Sequence, residues 1–203
     1  MQVKRTGRLW VFEGPDSVGK TSISSILVKE LSKNGGECVG FSFPGKSSGR
    51  VGELIYDLHH APRKFCIPDI TPAALQMLHI AAHVDLIQAQ ILPALESGIS
   101  VVLDRFWWST QVYGEVTGIA SEFLKSIISA EKVAWSGVEP DAVFLLQREH
   151  PLEFKRNAVW EQHAKHYSDL ARHEAGSHEV HQIANNGPIA EAVAAILSLV
   201  TTT

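Results

Sequence analysis

The chain has 203 residues, of which 45% are apolar and 20% charged, and its net charge is −4. This composition excludes a disordered or low-complexity chain and favours one globular domain over residues 1–203. Without a basic surface, we expect neither nucleic acid nor a membrane as partner. With two cysteines outside any metal or redox spacing and no apolar leader, we expect a protein of the cytoplasm.

The first element in the chain is a phosphate-binding loop. Apolar residues 9–12 predict a buried strand, and Gly14-Pro15-Asp16-Ser17-Val18-Gly19-Lys20-Thr21 follows it directly. The glycines let the backbone bend so that successive N–H groups converge on phosphates at the start of a helix. In such loops the lysine contacts the β- and γ-phosphates and the Thr hydroxyl binds Mg²⁺. We therefore expect a nucleotide site here rather than an ordinary glycine-rich turn.

The rest of the chain alternates between helical periodicity and short apolar runs. Further strands are predicted at 38–43, 100–104, 141–146 and 180–184. Helices are predicted at 22–31, 51–58, 73–95, 106–114, 122–135, 151–173 and 189–200, with Pro93 bending or ending the longest one.

This alternation predicts an α/β fold, a parallel sheet with helices on both faces. Such sheets bind ligands beyond the carboxyl ends of their strands. The first and third strands bring Gly14 and Asp104 to that edge. Asp104 is therefore a candidate site residue, although a cap of the following helix is the alternative interpretation.

Four stretches of the sequence resemble those of thymidylate kinases, within the wider P-loop nucleoside monophosphate kinase group. The stretches are 12–16, leading into the loop, Phe43-Pro44-Gly45, Asp104-Arg105-Phe106 and Ser109-Thr110-Gln111-Val112-Tyr113. The resemblance implies a P-loop NTPase fold with five parallel strands. It also implies transfer of the γ-phosphoryl group of ATP to the 5′-phosphate of dTMP, with ATP and Mg²⁺ as cofactors and a homodimer as a possible assembly.

The same resemblance implies roles for individual residues. Asp16 contacts the acceptor sugar, Asp104 and Arg105 lie beside the transferring phosphates, and Asp104 joins Thr21 as a metal ligand. The residues expected to hold ATP are Gly14, Asp16, Ser17, Val18, Gly19, Lys20 and Thr21. Those expected to surround the acceptor nucleotide are Phe43, Arg105, Ser109, Thr110, Gln111 and Tyr113.

The sequence departs from the family pattern in the helix that binds the acceptor base. Where the family has a stacking Phe and a base-reading Arg, this chain has His79 and His83. A neutral imidazole can stack and offers one donor and one acceptor, but it does not replace a guanidinium fork. Both histidines are candidate substrate residues. A metal pair at this i, i+4 spacing and ordinary helix histidines are the alternatives.

The basic residues of the site are also fewer than in the family. No arginine directly follows Phe43-Pro44-Gly45, so Lys46 or Arg50 is expected to bind the acceptor phosphate. In the lid, at about 147–160, Arg148 is the expected catalytic cation beside Lys20, Asp104 and Arg105. For Lys155 and Arg156 in the same segment, a solvated helix face is an equal alternative.

Two adjacent tryptophans, Trp107 and Trp108, are interpreted as packing residues rather than as pocket lining. The leading hypothesis for the chain is a thymidylate-kinase-like phosphotransferase acting on dTMP or a related nucleoside monophosphate. One alternative is a P-loop kinase of another small acceptor, indicated by His79 and His83. The other is a nucleotide-binding protein with little catalysis, indicated by the short supply of lid arginines.

Overall fold

The structure, a computed structural model, describes residues 5–33, 36–45 and 50–201. Its strands are β1 (Leu9–Glu13), β2 (Cys38–Ser42), β3 (Ser100–Asp104), β4 (Ala142–Gln147) and β5 (Val180–Ala184). All neighbouring strands run parallel, in the order β2-β3-β1-β4-β5. The predicted five-stranded parallel sheet is therefore confirmed.

Helices cover both faces of this sheet. Their bounds are α1 (Lys20–Lys33), α2 (Val51–His60), α3 (Pro72–Leu86), α4 (Leu92–Glu96), α5 (Trp107–Val116), α6 (Ser121–Ala134), α7 (Ala158–Glu174) and α8 (Ile189–Thr201). One core lies between the sheet and the helices α3 to α7, and the other lies between the sheet and α1 with α8.

Strand β1 lies at the centre and is buried along its whole length. Successive side chains of a strand point to opposite faces, so Leu9 and Val11 enter one core while Trp10 and Phe12 enter the other. Its register places Phe12 opposite Asp104 of β3. The segments that leave β1 and β3 therefore start side by side at the carboxyl edge of the sheet.

The helix predicted over 73–95 is divided by a wider turn. A π-helical turn, Ile87–Ile91, separates α3 from α4, and the N–H of Leu92 donates to the carbonyl of Ile87, five residues earlier. Pro93 is the physical reason, because it has no N–H and its ring collides with the carbonyl four residues before it.

Within the described residues, the run Pro72–Glu96 is the one helical stretch long and apolar enough to cross a membrane by length and composition. Its apolar side chains include Ile80, Leu86, Ile91 and Leu95, which are buried in the core beneath the sheet. This packing is that of a core helix.

The polar helix predicted from residue 151 begins later, at Ala158. The side-chain oxygen of Asn157 accepts a hydrogen bond from the N–H of Trp160 and caps this end of α7. Residues 148–157 therefore form a ten-residue connection between β4 and α7, and the lid predicted at about 147–160 falls largely within it.

Replacement of the cap should loosen the start of α7. We expect Asn157→Ala to lower the free energy of unfolding by about 1 kcal/mol, because the N–H of Trp160 loses its acceptor. Asn157→Ser keeps a capping oxygen and should cost at most a few tenths of that. Urea unfolding followed by circular dichroism measures both. Equal losses for the two variants would contradict the capping role.

Candidate functional site

The phosphate-binding loop depends on glycine at two positions. Gly14 and Gly19 have φ angles of 138° and 95°, where a side chain is strained. A Cβ at residue 14 would lie 2.5 Å from the carbonyl oxygen of Leu146, and one at residue 19 would lie 2.6 Å from Nδ2 of Asn185. Positions 14 and 19 of the loop therefore require glycine, both for the positive φ angle and because a side chain has no room there.

The side chain of Lys20 is buried inside the phosphate-binding loop. Its ammonium donates to the carbonyl oxygens of Gly14, at 2.8 Å, and Pro15, at 2.7 Å. Burial, reinforced by the positive charge of Arg105, lowers the pKa of Lys20 to about 8. The side chain is thus held within the loop by two backbone carbonyls.

The hydroxyl of Thr21 donates to Oδ2 of Asp104 at 2.6 Å, which links the loop to the end of β3. Asp104 is 4% exposed, and its other oxygen, Oδ1, is buried without a hydrogen-bond partner. A hard cation such as Mg²⁺ prefers carboxylate and hydroxyl oxygens, so this pair fits the predicted metal. Among the described residues, it is Glu13 rather than Asp104 that accepts the N–H groups of Phe106 and Ser109 at the start of the following helix.

Arg105 follows Asp104 in an unusual conformation, with a φ of 79°. Its N–H donates to the carbonyl of Phe12 at 2.9 Å, and its guanidinium pairs with the carboxylate of Asp16. The guanidinium also donates to the hydroxyl of Ser109 at 3.1 Å and lies 5.4 Å from the ring centre of Tyr113. Left-handed backbone costs a non-glycine residue about 1–2 kcal/mol, so several contacts hold this turn.

The neighbours of Asp16 stabilise its carboxylate in the charged form. Burial alone would raise its pKa, but the charge of Arg105 and a hydrogen bond from Tyr113 outweigh burial and lower the pKa below its ordinary value. The structure thus brings together four residues that the resemblance places around the acceptor: Asp16, Arg105, Ser109 and Tyr113.

Other residues predicted on the same wall have different surroundings. Thr110 is buried, and the amide of Gln111 donates to Glu115 one turn later on α5. Trp107 and Trp108 are 4% and 0% exposed, as expected for packing residues.

His83 is embedded between two neighbours. Its ring stacks on Phe43, with centres 3.9 Å apart, and Nδ1 lies 2.9 Å from Oε2 of the buried Glu131. His79, one turn earlier, lies with Nε2 3.3 Å from Nδ1 of His59, and burial with the charge of His83 lowers its pKa to about 3. No group of three or more metal-ligating side chains occurs in the described residues.

Lys46 and Arg50 are the two residues expected to bind the acceptor phosphate. Lys46 lies outside the described residues. Arg50 pairs with the carboxylate of Asp85 at 3.1 Å and also donates to its carbonyl at 3.2 Å.

The arginines of the lid are bound to other groups. The guanidinium of Arg148 donates to the carbonyls of Asn185 and His150, and that of Arg156 pairs with Glu161 at 2.8 Å. Arg148 also lines a cavity of about 290 Å³ beside Pro15 of the loop. The lid touches the loop through Leu152, whose N–H donates to the carbonyl of Ser17 at 2.8 Å.

Four residues that were not predicted from the sequence support this site. The carboxylate of Glu13 is bonded to Ser109, which also bonds the hydroxyl of Tyr167 at 2.8 Å. The indole of Trp160 donates to the carbonyl of Asp16, and the amide of Asn185 donates to that of Val18, each at 2.8 Å. A charged residue ending an apolar strand was a signal for Glu13, whereas nothing local marks Asn185.

Glu13 should make stability depend on pH. Burial raises its pKa from 4.5 to about 7, although Arg105 and Ser109 oppose the shift. The unfolded chain therefore releases this proton at lower pH than the folded chain, so ionisation of Glu13 costs stability as pH rises from about 4.5 to 7.

We expect the stability of Glu13→Gln relative to wild type to increase by up to about 3 kcal/mol between pH 4.5 and 8, since each pKa unit is worth about 1.4 kcal/mol. Urea unfolding of both proteins across this range measures the difference. A difference that stays constant with pH would contradict the raised pKa.

The family model, the related sequences and the solved structure that match this chain are all described as thymidylate kinases. The family model described as thymidylate kinase matches residues 12–192. The thymidylate kinase of Pelodictyon phaeoclathratiforme is 34% identical over 151 residues, which cover 73% of this chain and 64% of that protein. That of Chlamydia muridarum is 37% identical over 136 residues, which cover 67% of this chain and 64% of that protein. The matched stretch is thus just under two thirds of these relatives' length.

Among solved structures, the thymidylate kinase of Ehrlichia chaffeensis has the same fold, with a TM-score of 0.77 and 21% identity over 96% of this chain and 98% of that one. The chain therefore belongs to the thymidylate kinase family.

Proposed function

We propose that this chain transfers the γ-phosphoryl group of ATP to the phosphate of a nucleoside monophosphate, with dTMP as the preferred acceptor. One observation carries the proposal. The loop that suits a triphosphate and the Asp104-Arg105 pair share one edge of the sheet, joined by the bond between Thr21 and Asp104 and by the pair of Arg105 with Asp16.

On the donor side, the chain offers backbone N–H groups and one ammonium. The amides from Asp16 to Thr21 hold the phosphates at the start of α1, and Lys20 moves from the loop carbonyls to the β- and γ-phosphates. Thr21 and Asp104 would hold Mg²⁺, which when bound supplies positive charge beside the phosphates.

On the acceptor side, Arg105 places a cation where the two anions approach each other. Its guanidinium already lies between Asp16 and Ser109, so little reorganisation is needed when the acceptor phosphate arrives. Asp16 accepts a hydrogen bond from the acceptor sugar, and Tyr113 packs beside it. Phosphoryl transfer needs positioning and neutralised charge rather than a covalent nucleophile, and these residues supply both.

A second candidate, a nucleotide-binding protein with slow turnover, is favoured by the lid. Both Arg148 and Arg156 donate to groups of the chain itself. An arginine directed at the transferring phosphate contributes on the order of 10³–10⁵ in rate. If neither leaves its partners when nucleotides bind, turnover will be correspondingly slow.

We also propose that the protein acts in the cytoplasm as a homodimer. Cys38 and Cys66 are unpaired, which suits a reducing compartment. The dimer follows from the family resemblance, and light scattering coupled to size exclusion tests it.

The function is tested by a coupled ADP-release assay with dTMP, dUMP, dCMP, UMP and AMP as acceptors. We expect turnover to be fastest with dTMP and to fall at least about 100-fold in Lys20→Ala, because the β- and γ-phosphates lose their cation. Lys29→Ala, an exposed position on the same helix, is the matched control and should behave as wild type.

Three outcomes separate the candidates. Turnover with another monophosphate but not dTMP would replace the acceptor in the proposal. ATP binding by calorimetry without turnover on any acceptor would favour the second candidate. Equal activity of Lys20→Ala and wild type would overturn the assigned role of the loop, and with it the observation that carries the proposal.

A further inference from the structure

Glu13 is a carboxylate that no part of the proposed reaction uses. It is 0% exposed, at the carboxyl end of β1, and its three hydrogen bonds all go to one segment. Oε1 accepts from the N–H groups of Phe106, at 2.7 Å, and Ser109, at 3.0 Å, while Oε2 accepts from the hydroxyl of Ser109 at 2.8 Å. That segment directly follows Arg105.

Glu13 belongs to strand β1, yet it caps helix α5 by accepting the backbone N–H groups of Phe106 and Ser109. The first N–H groups of a helix have no partner within it, and Phe106, at the cap position, provides no side-chain acceptor. The carboxylate of Glu13 accepts the N–H of Phe106 and shares the N–H of Ser109 with the carbonyl of Phe106, and a negative charge is favourable at this end of a helix. The start of α5 is therefore fixed one residue after the left-handed turn at Arg105.

The side-chain bond sets the direction of a hydrogen-bond chain. A serine hydroxyl has one hydrogen and two lone pairs, and an ionised carboxylate has no hydrogen to give. Above the pKa of Glu13, which is about 7, Ser109 therefore donates to the ionised carboxylate, so both lone pairs of its hydroxyl are free to accept. They receive Nη1 of Arg105, at 3.1 Å, and the hydroxyl of Tyr167, at 2.8 Å.

We propose that Glu13 is a positioning residue for Arg105: it caps α5 and holds the Ser109 hydroxyl as an acceptor, so that the guanidinium stays between Asp16 and Ser109. This inference rests on the proposed function, in which Arg105 faces the acceptor phosphate. Glu13 itself touches neither nucleotide.

The isosteric variant Glu13→Gln isolates this role. The amide oxygen still accepts the two N–H groups, but its NH₂ replaces the acceptor of the Ser109 hydrogen with a donor. The introduced amide then competes with Arg105 for the lone pairs of Ser109, whose own hydrogen is left to the hydroxyl of Tyr167, and Arg105 also loses a nearby counter-charge. In a crystal structure of the variant, we expect the guanidinium to leave Ser109.

The kinetic consequence should be confined to the acceptor. We expect kcat/KM for the acceptor to fall about 10- to 100-fold in Glu13→Gln, as for a displaced catalytic group, while KM for ATP stays within about twofold. Ser109→Ala should produce a similar loss. The double variant should be no worse than either single one, because both act through the same hydroxyl.

A purely structural role predicts something different. If Glu13 only stabilises the fold, Glu13→Gln lowers the Tm and kcat together and its effect adds to that of Ser109→Ala. We expect instead that the Tm at pH 8 is at least that of wild type. Asp141→Asn is the matched control, since this carboxylate accepts the N–H of Leu9 at the opposite edge of the sheet. It should lower the Tm and leave kcat unchanged.

The inference is overturned if Glu13→Gln keeps its acceptor kcat/KM within twofold, if the two losses add, or if Arg105 remains on Ser109 in the crystal structure. Absence of wild-type turnover with every acceptor would instead defeat the proposed function. In that case, the crystal structure still decides whether Glu13 positions Arg105.

Discussion

The pairing of β1 with β3 is the constraint on which the site depends. Phe12 lies opposite Asp104, and the N–H of Arg105 donates to the carbonyl of Phe12, so the ladder extends one residue beyond the strand. A slip of one residue would exchange the faces of every side chain in β1, and the two cores hold different sets of side chains. Packing of the core therefore sets the register, and the register sets where the loop meets Arg105.

The charges at this edge are arranged for a ligand rather than for stability. Three carboxylates, those of Glu13, Asp16 and Asp104, lie near two cations, those of Lys20 and Arg105. Burial shifts the pKa of Glu13 upward and that of Lys20 downward, so each group is less stable in its charged form here than in water. In the proposed reaction, a bound triphosphate would add further negative charge, and a divalent cation at Thr21 and Asp104 would offset it.

Local sequence predicted well that the loop and Asp104-Arg105 meet at one edge of the sheet, but it did not predict the residues that support them. The loop motif, the strand before it and Asp104-Arg105 after a third strand are contiguous signals, and the structure places them together. By contrast, Tyr167 and Ser109 are 58 positions apart in the sequence, and Glu13 and Ser109 are 96 apart. Such pairs form only when the sheet order brings α5 and α7 over β1, and no periodicity encodes which polar atoms then meet. A carboxylate at the end of an apolar strand indicates that it has a hydrogen-bond partner in the fold, but it does not identify that partner.

The residues proposed to bind the acceptor have weaker sequence signals because they come from more elements. Phe43 follows β2, His83 lies on α3 and Glu131 on α6, and the stack and hydrogen bond among them form one unit. The residues proposed to bind ATP lie in the phosphate-binding loop and at Asp104, and they do not include Phe43, His83 or Glu131. In the proposed reaction, substitutions in α3 and α6 would therefore change the selectivity for the acceptor base without changing the binding of ATP.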